Sequence, residues 1–241
     1  MKKERETQVV LTLDQEEFFS LEEMPPVQFL EIRLDLFLKG RETQKRILEK
    51  IEKLNARIVL TYRQPEDSSL ESRSVWNSDD VTFLLDQLRS GIHYLDLELD
   101  KDNSIFQSAD ETKFGIIRSV HSFKGILNLD ECLFYYRNVL EESFASAKTT
   151  LPFDCVLKLA VLPASPADAE SFSQISLEIA KRVRKSDSNL GYCGIIMGEF
   201  GKEFRIFPEK IGSDFTYACL QNAKAPGQVS LNEILKQRSV S

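Results

Sequence analysis

The sequence predicts an α/β fold: a closed (β/α)8 TIM barrel formed by a single domain. Short apolar runs rich in β-branched and aromatic residues, typical of strands, recur about eight times along the 241 residues. Amphipathic segments separate several of them, and strand–helix alternation indicates parallel strands joined by crossover helices. About eight such units fit a barrel, which usually needs roughly 250 residues. We therefore expect one barrel domain over 1–241, with its core at about 8–235.

The individual elements follow from local patterns. The candidate strands are 8–13, 31–37, 57–63, 94–100, 114–121, 155–163, 192–198 and 214–220. Helical periodicity, with apolar residues every three or four positions, covers 43–55, 78–90 and 166–185, and Ser230 is placed to cap a last helix. An open doubly wound sheet is the alternative. However, the chain after the first strand reads TLDQEEFF and lacks the glycine-rich turn of a dinucleotide-binding fold.

Charge and composition exclude several classes of partner. The net charge of −7 argues against nucleic acid or an anionic membrane surface, because both require a basic face. No apolar run approaches the ~20 residues of a membrane span, and the N-terminal segment lacks the features of a secretion signal. The four cysteines and two histidines are too dispersed for a zinc site. We expect a cytoplasmic protein with core thiols and no metal.

Charged residues lie inside several predicted strands, and a barrel carries its active site at the C-terminal strand ends. In the second strand, Glu31, Arg33 and Asp35 alternate and so point to one side. The next four strands contribute Arg63, Asp96, Glu98, Arg118, His121 and Lys158. For Asp96, Glu98 and Arg118, a satisfied ion network in the core is at least as good an explanation as a catalytic site. Convergence on Lys158 and His121 favours a site for Glu31, Arg33 and Arg63.

Lys158 interrupts the apolar run DCVLKLAVLP, and lysine is rarely buried without a partner. Desolvation and neighbouring cations both lower a lysine pKa. A neutral amine can attack a ketone and form an imine that acts as an electron sink. His121 could then move the protons, while arginines hold an anionic substrate. The residues therefore predict a Schiff-base enzyme that acts on an anionic carbonyl compound.

The ordered motifs EIRLD, TYR, SVHSF, VLKLAV, MGEFGKEFRI, GSDFTYA and APGQ resemble type I 3-dehydroquinate dehydratases over roughly 8–235. The resemblance implies a hydro-lyase of the shikimate pathway that converts 3-dehydroquinate to 3-dehydroshikimate without an external cofactor. It implies an imine between Lys158 and the C3 ketone, with His121 as general base and acid. It also implies substrate contacts from Glu31, Arg33, Arg63, Arg205 and Gln228.

Three positions depart from the family pattern. Asp67 stands where the family usually has a glutamate that orients the histidine, with Glu66 as the alternative carboxylate. Phe204 replaces the serine before the second substrate arginine, and Lys224 replaces the serine of S-A-P-G-Q. We expect Lys224 to contact the substrate carboxylate. The departures leave open a catalytically silent dehydroquinate-binding relative, and the lysine alone would also fit a class I aldolase.

Apolar residues on predicted helical faces leave a homodimer open. They are Phe134, Tyr135, Tyr136 and Phe144. Packing against the barrel is the simpler explanation for the same residues.

Overall fold

The computed structural model describes residues 6–65, 68, 70–145, 149–186 and 188–239. Its strands are β1 Gln8–Leu13, β2 Phe29–Arg33, β3 Ile58–Thr61, β4 Tyr94–Glu98, β5 Gly115–Ser122, β6 Cys155–Val161, β7 Leu190–Ile196, β8 Phe215–Cys219 and β9 Val229–Ser230. Its α-helices are α1 Gln15–Ser20, α2 Arg41–Leu54, α3 Ser78–Gln87, α4 Leu129–Ala145, α5 Pro166–Lys185, α6 Lys202–Ile206 and α7 Leu231–Arg238.

The strands form one parallel sheet that curls into the predicted (β/α)8 barrel. They follow each other in chain order from β7 back to β1, and β8 pairs with the other side of β1. Strands β7 and β8 meet where Asp214 precedes β8. Its amide donates to the Tyr192 carbonyl at 2.7 Å, and its carboxylate accepts from the Tyr192 amide at 2.9 Å. An open doubly wound sheet is excluded, because its strands would not return to the first one.

The inside of the barrel changes from apolar to polar along the strands. One buried apolar layer takes a residue from each of the strands β1 to β8: Val10, Phe29, Val59, Tyr94, Ile117, Val156, Cys193 and Phe215. Side chains two positions later face the same side of a strand. Six of the eight positions reached this way are buried and polar or charged: Thr12, Glu31, Thr61, Asp96, Ser119 and Lys158. The apolar layer fills the barrel on the side of the N-terminal strand ends, and the polar layer lies next to it, toward the C-terminal strand ends.

The predicted helices are confirmed where periodicity was clear. Helix α5 covers 166–185 as expected, and the Glu233 amide donates to the Ser230 hydroxyl at the start of α7. The short helix α1 was not predicted. The predicted second strand was wrong beyond Arg33, because 34–36 form a 3₁₀ turn. Asp35 in this turn binds the Arg33 guanidinium at 2.8 and 2.6 Å.

Candidate active site

Lys158 lies in the middle of β6 and faces the barrel interior, where it is 3% exposed. Its ammonium nitrogen is 2.8 Å from Oδ2 of Asp96 on β4 and 4.2 Å from the ring centre of Tyr217 on β8. The Ser119 hydroxyl donates to the other Asp96 oxygen at 2.5 Å. The buried ammonium therefore has a carboxylate partner and an aromatic face beside it, which offset part of its desolvation.

Arg63 links this lysine–carboxylate pair to a second carboxylate. Its guanidinium donates to both Asp96 oxygens, at 3.1 and 2.8 Å, and lies 2.8 Å from Glu98 Oε1. Burial raises the pKa of Asp96, but Arg63 and Lys158 outweigh burial and hold that pKa well below the usual range. Burial opposes the charge of Arg63 as well, and Asp96 and Glu98 raise the pKa of Arg63 above its ordinary value. The ion network expected for Asp96 and Glu98 exists and includes the candidate catalytic lysine.

His121, near the end of β5, lies on the same network. Its Nδ1 is 2.8 Å from Glu98 Oε1, and its ring stacks on Phe123 with the two planes 17° apart. Burial lowers the pKa of His121, and Glu98 offsets part of that effect. For Glu98, burial is outweighed by His121 and Arg63, so its pKa falls to about 2. The pair thus combines an ionised carboxylate with an imidazole that is neutral at pH 7 and ready to accept a proton.

Glu31 and Arg33, the predicted E-x-R pair on β2, both face the pocket. Glu31 accepts from the Thr12 hydroxyl at 2.6 Å and from the Thr61 hydroxyl at 2.9 Å. Arg33 binds the Asp35 carboxylate and also donates to the Ser68 hydroxyl at 3.0 Å. Both side chains are therefore held in fixed positions before any ligand enters.

The β8–β9 loop, residues 220–228, covers the pocket from the other side. Arg205 on α6 donates to the Pro226 carbonyl at 3.0 Å, while its buried Nε has no hydrogen-bond partner among the described residues. Burial lowers the pKa of Arg205 to about 10. The side-chain amide of Gln228 donates to the Thr12 hydroxyl and to the Ala218 carbonyl, both at 3.0 Å. The Lys224 ammonium binds the carboxylates of Asp14 and Glu17.

Every predicted site residue that the structure describes lines this one pocket. They are Glu31, Arg33, Arg63, His121, Lys158, Arg205, Lys224 and Gln228. Asp67 and the alternative Glu66 lie outside the described residues, so the orienting role of Asp67 stays a prediction. Among the residues that the structure does describe, no three metal-ligating side chains form a metal-binding group.

A model of the family described as type I 3-dehydroquinase matches residues 14–241. The chain belongs to the type I 3-dehydroquinase family. Two relatives, both named 3-dehydroquinate dehydratase, come from Staphylococcus saprophyticus and Aquifex aeolicus. The first is 25% identical over 89% of this chain and 87% of the relative. The second is 28% identical over 87% of this chain and 85% of the relative.

Solved structures show the same fold. The chain superposes on a type I 3-dehydroquinate dehydratase from Clostridium difficile, solved with covalently modified comenic acid, with a TM-score of 0.73. The sequence identity is 18%, and the match covers 98% of this chain and 93% of that one. This likeness supports the barrel assignment.

Three residues that line this type I dehydroquinase pocket or contact its lining were not assigned to the site from the sequence. Asp96 and Glu98 were left open between a core network and a site, and Tyr217 was not considered. The Tyr217 hydroxyl is buried without a hydrogen-bond partner among the described residues, and burial raises the pKa of Tyr217 well above its usual value. Its position in GSDFTYA, two residues after the core residue Phe215, is the signal that places it inside.

Proposed function

We propose that this chain is a 3-dehydroquinate dehydratase that converts 3-dehydroquinate to 3-dehydroshikimate and water through an imine on Lys158. This reaction would place it in chorismate and aromatic amino acid biosynthesis. The observation that carries the proposal is that Lys158 and His121 lie on adjacent strands of one pocket. They are linked by the network of Asp96, Arg63 and Glu98.

The proposed chemistry uses the lysine as electron sink. After Lys158 loses a proton, its amine nitrogen attacks the C3 ketone, and loss of water gives the protonated imine. His121 removes a proton from C2, and the electron pair moves onto the imine nitrogen. The enamine then expels the C1 hydroxyl, which takes the proton back from His121 and leaves as water. Hydrolysis of the new imine releases the conjugated ketone and restores the amine.

The polar walls of the pocket suit a polyhydroxylated carboxylate. Arg205 offers an unpartnered buried Nε, and we propose that it binds the substrate carboxylate. Glu31 and Arg33 are held in the same pocket, where they can bind hydroxyl groups. Gln228 closes the pocket from the β8–β9 loop. Substrate contact by Arg63 stays a prediction, because its guanidinium is already bound to Asp96 and Glu98. The expected substrate contact of Lys224 also stays a prediction.

One experiment tests the function and its alternatives. The protein is incubated with 3-dehydroquinate while the absorbance of the enone product is followed, and it is then treated with borohydride and weighed. Product formation together with a reduced adduct on Lys158 supports a working dehydratase. An adduct without turnover indicates a silent dehydroquinate-binding relative. Neither product nor adduct contradicts the proposal, and an adduct with other carbonyl compounds alone points to an aldolase-type enzyme.

Glu98→Gln is expected to lower kcat by about 10–100-fold while keeping the imine adduct, because His121 loses the carboxylate that holds its ring. Since Glu98 raises the pKa of His121 against the effect of burial, its neutralisation lowers that pKa further. The acid limb of the kcat/KM profile should therefore shift to lower pH. The measurement is a pH–rate profile of both proteins. A limb that stays in place, with unchanged kcat, contradicts this role of Glu98.

The remaining expectations from the sequence are untested. Phe134 on α4 is 59% exposed, and the Tyr136 hydroxyl donates to the Arg182 carbonyl of α5. A homodimer through α4 and a cytoplasmic location stay predictions. Within the described ranges, none of the helices has the length and apolar character needed to cross a membrane.

A further inference from the structure

Lys224 connects the β8–β9 loop to helix α1 rather than pointing freely into the pocket. It is 4% exposed although it lies in a loop. Its ammonium is 2.8 Å from Asp14 Oδ2 and 3.1 Å from Glu17 Oε2. A lysine with two carboxylate partners at these distances has most of its hydrogen-bonding capacity filled. Its charge is therefore used within the protein.

The two carboxylates are themselves fixed by the start of α1. The Glu17 amide donates to Asp14 Oδ1 at 3.0 Å, and the Asp14 amide donates to Glu17 Oε2 at 3.2 Å. This reciprocal capping box holds both side chains at the C-terminal end of β1. Glu17 also accepts from the Gln221 amide at 3.3 Å. The acidic partners are thus part of the rigid barrel, and the loop is the element that they hold.

The backbone of Lys224 is linked to the pocket. Its amide donates to Gln228 Oε1 at 2.7 Å, and the Gln228 amide group donates to Thr12. Thr12 in turn donates to Glu31 at 2.6 Å. The anchor at Lys224 therefore sets the position of Gln228, which lines the pocket.

We propose that Lys224 is a positioning residue whose ion pairs with Asp14 and Glu17 hold the β8–β9 loop closed over the pocket. The inference rests on the proposed function. In this arrangement Arg205 binds the substrate carboxylate. Lys224 changes the affinity for substrate only by positioning Gln228. When only a fraction of the molecules has the loop closed, the apparent dissociation constant equals the intrinsic one divided by that fraction.

Lys224→Met and Glu17→Gln separate this role from direct substrate binding. Methionine keeps the length of the side chain without its charge, and glutamine keeps the capping ability of position 17. With the loop closed about a tenth of the time, KM rises about tenfold in Lys224→Met, while kcat stays within about threefold. Glu17→Gln keeps the pair with Asp14 and should raise KM by a smaller factor. Lys224→Arg retains the ion pairs and should restore a KM near that of the unmodified protein. If Lys224 bound the substrate, Glu17→Gln would remove one of its two carboxylate partners without removing a substrate contact. An unchanged or lower KM in that variant therefore overturns the proposal.

Hydrogen exchange supplies a readout that does not need turnover. In the closed loop the Gln221 amide donates to Glu17 of α1 and the Lys224 amide donates to Gln228, so both should exchange faster in Lys224→Met. Lys202→Met is the matched control. The Lys202 ammonium lies 2.8 Å from the Glu233 carboxylate, and this exposed ion pair is not part of the pocket lining. The control variant should leave KM and loop exchange unchanged. Unchanged exchange in Lys224→Met overturns the role of Lys224 as a loop anchor, whether or not the protein turns over 3-dehydroquinate. Absence of turnover in the unmodified protein contradicts the proposed function and leaves the exchange result to decide the loop anchor.

Discussion

Replacing Lys158 with methionine is expected to abolish turnover of 3-dehydroquinate and the borohydride-trapped adduct, while substrate binding remains measurable. Methionine has nearly the same length but no amine, so no imine forms and the carbanion at C2 has no electron sink. Loss of a covalent nucleophile removes most of the rate, and we expect a fall of at least about 10³-fold in kcat. The groups proposed to bind the substrate are unchanged.

The variant should fold despite the loss of an internal charge. Removing one partner of a buried ion pair typically costs ~3–5 kcal/mol because the other charge is left alone. Asp96 keeps its bonds to Arg63 and Ser119, so its carboxylate is not left unpaired. Thermal unfolding checks this point, intact mass after borohydride checks the adduct, and calorimetry checks binding. Lys181, exposed on α5, is the control lysine for methionine substitution. An adduct on the Lys158→Met protein would show that another amine forms the imine.

Short-range patterns predicted the barrel and the strand residues of the candidate site, whereas Arg205, Lys224 and Gln228 were named only through the family resemblance. Apolar runs predict strands, and the two-residue alternation of Glu31 with Arg33 places both inside the barrel. The positions of Lys158 and His121 follow from the same alternation on β6 and β5. The parallel register fixes how far apart they lie, because Lys158 pairs with Ser119, two residues before His121.

The partners of these residues were harder to predict because they depend on three-dimensional register. Glu98 reaches His121 only because β4 and β5 align Glu98 with Ser119, and nothing in the spacing distinguishes Glu98 from a residue of a core network. The carboxylates that bind Lys224 belong to α1, which has six residues and is too short for a helical period to be detected. The partners of His121 and Lys224 therefore depend on ion pairs between residues far apart in the sequence, which local patterns do not predict.

His121→Ala should separate imine formation from dehydration. The amine and its carboxylate partner remain, so the adduct on Lys158 should still form. Without the imidazole, no positioned base removes the C2 proton, and kcat should fall by about 10²–10⁴-fold, the usual contribution of general acid–base catalysis. The measurement pairs the initial rate of enone formation with the mass of borohydride-trapped protein. An unchanged kcat would remove the proposed proton transfer from His121.

The pH profile of this variant provides a second criterion. Because burial lowers the pKa of His121, the acid limb of kcat/KM in the unmodified protein should lie below pH 6.5, and it should disappear in His121→Ala. His93 is the other histidine of the chain, and burial lowers its pKa to about 4. Its Nδ1 accepts from the Ile58 amide at the opposite end of the barrel. His93→Gln retains an acceptor there and should keep both kcat and the acid limb, so a limb that follows His93 instead would contradict the assignment to His121.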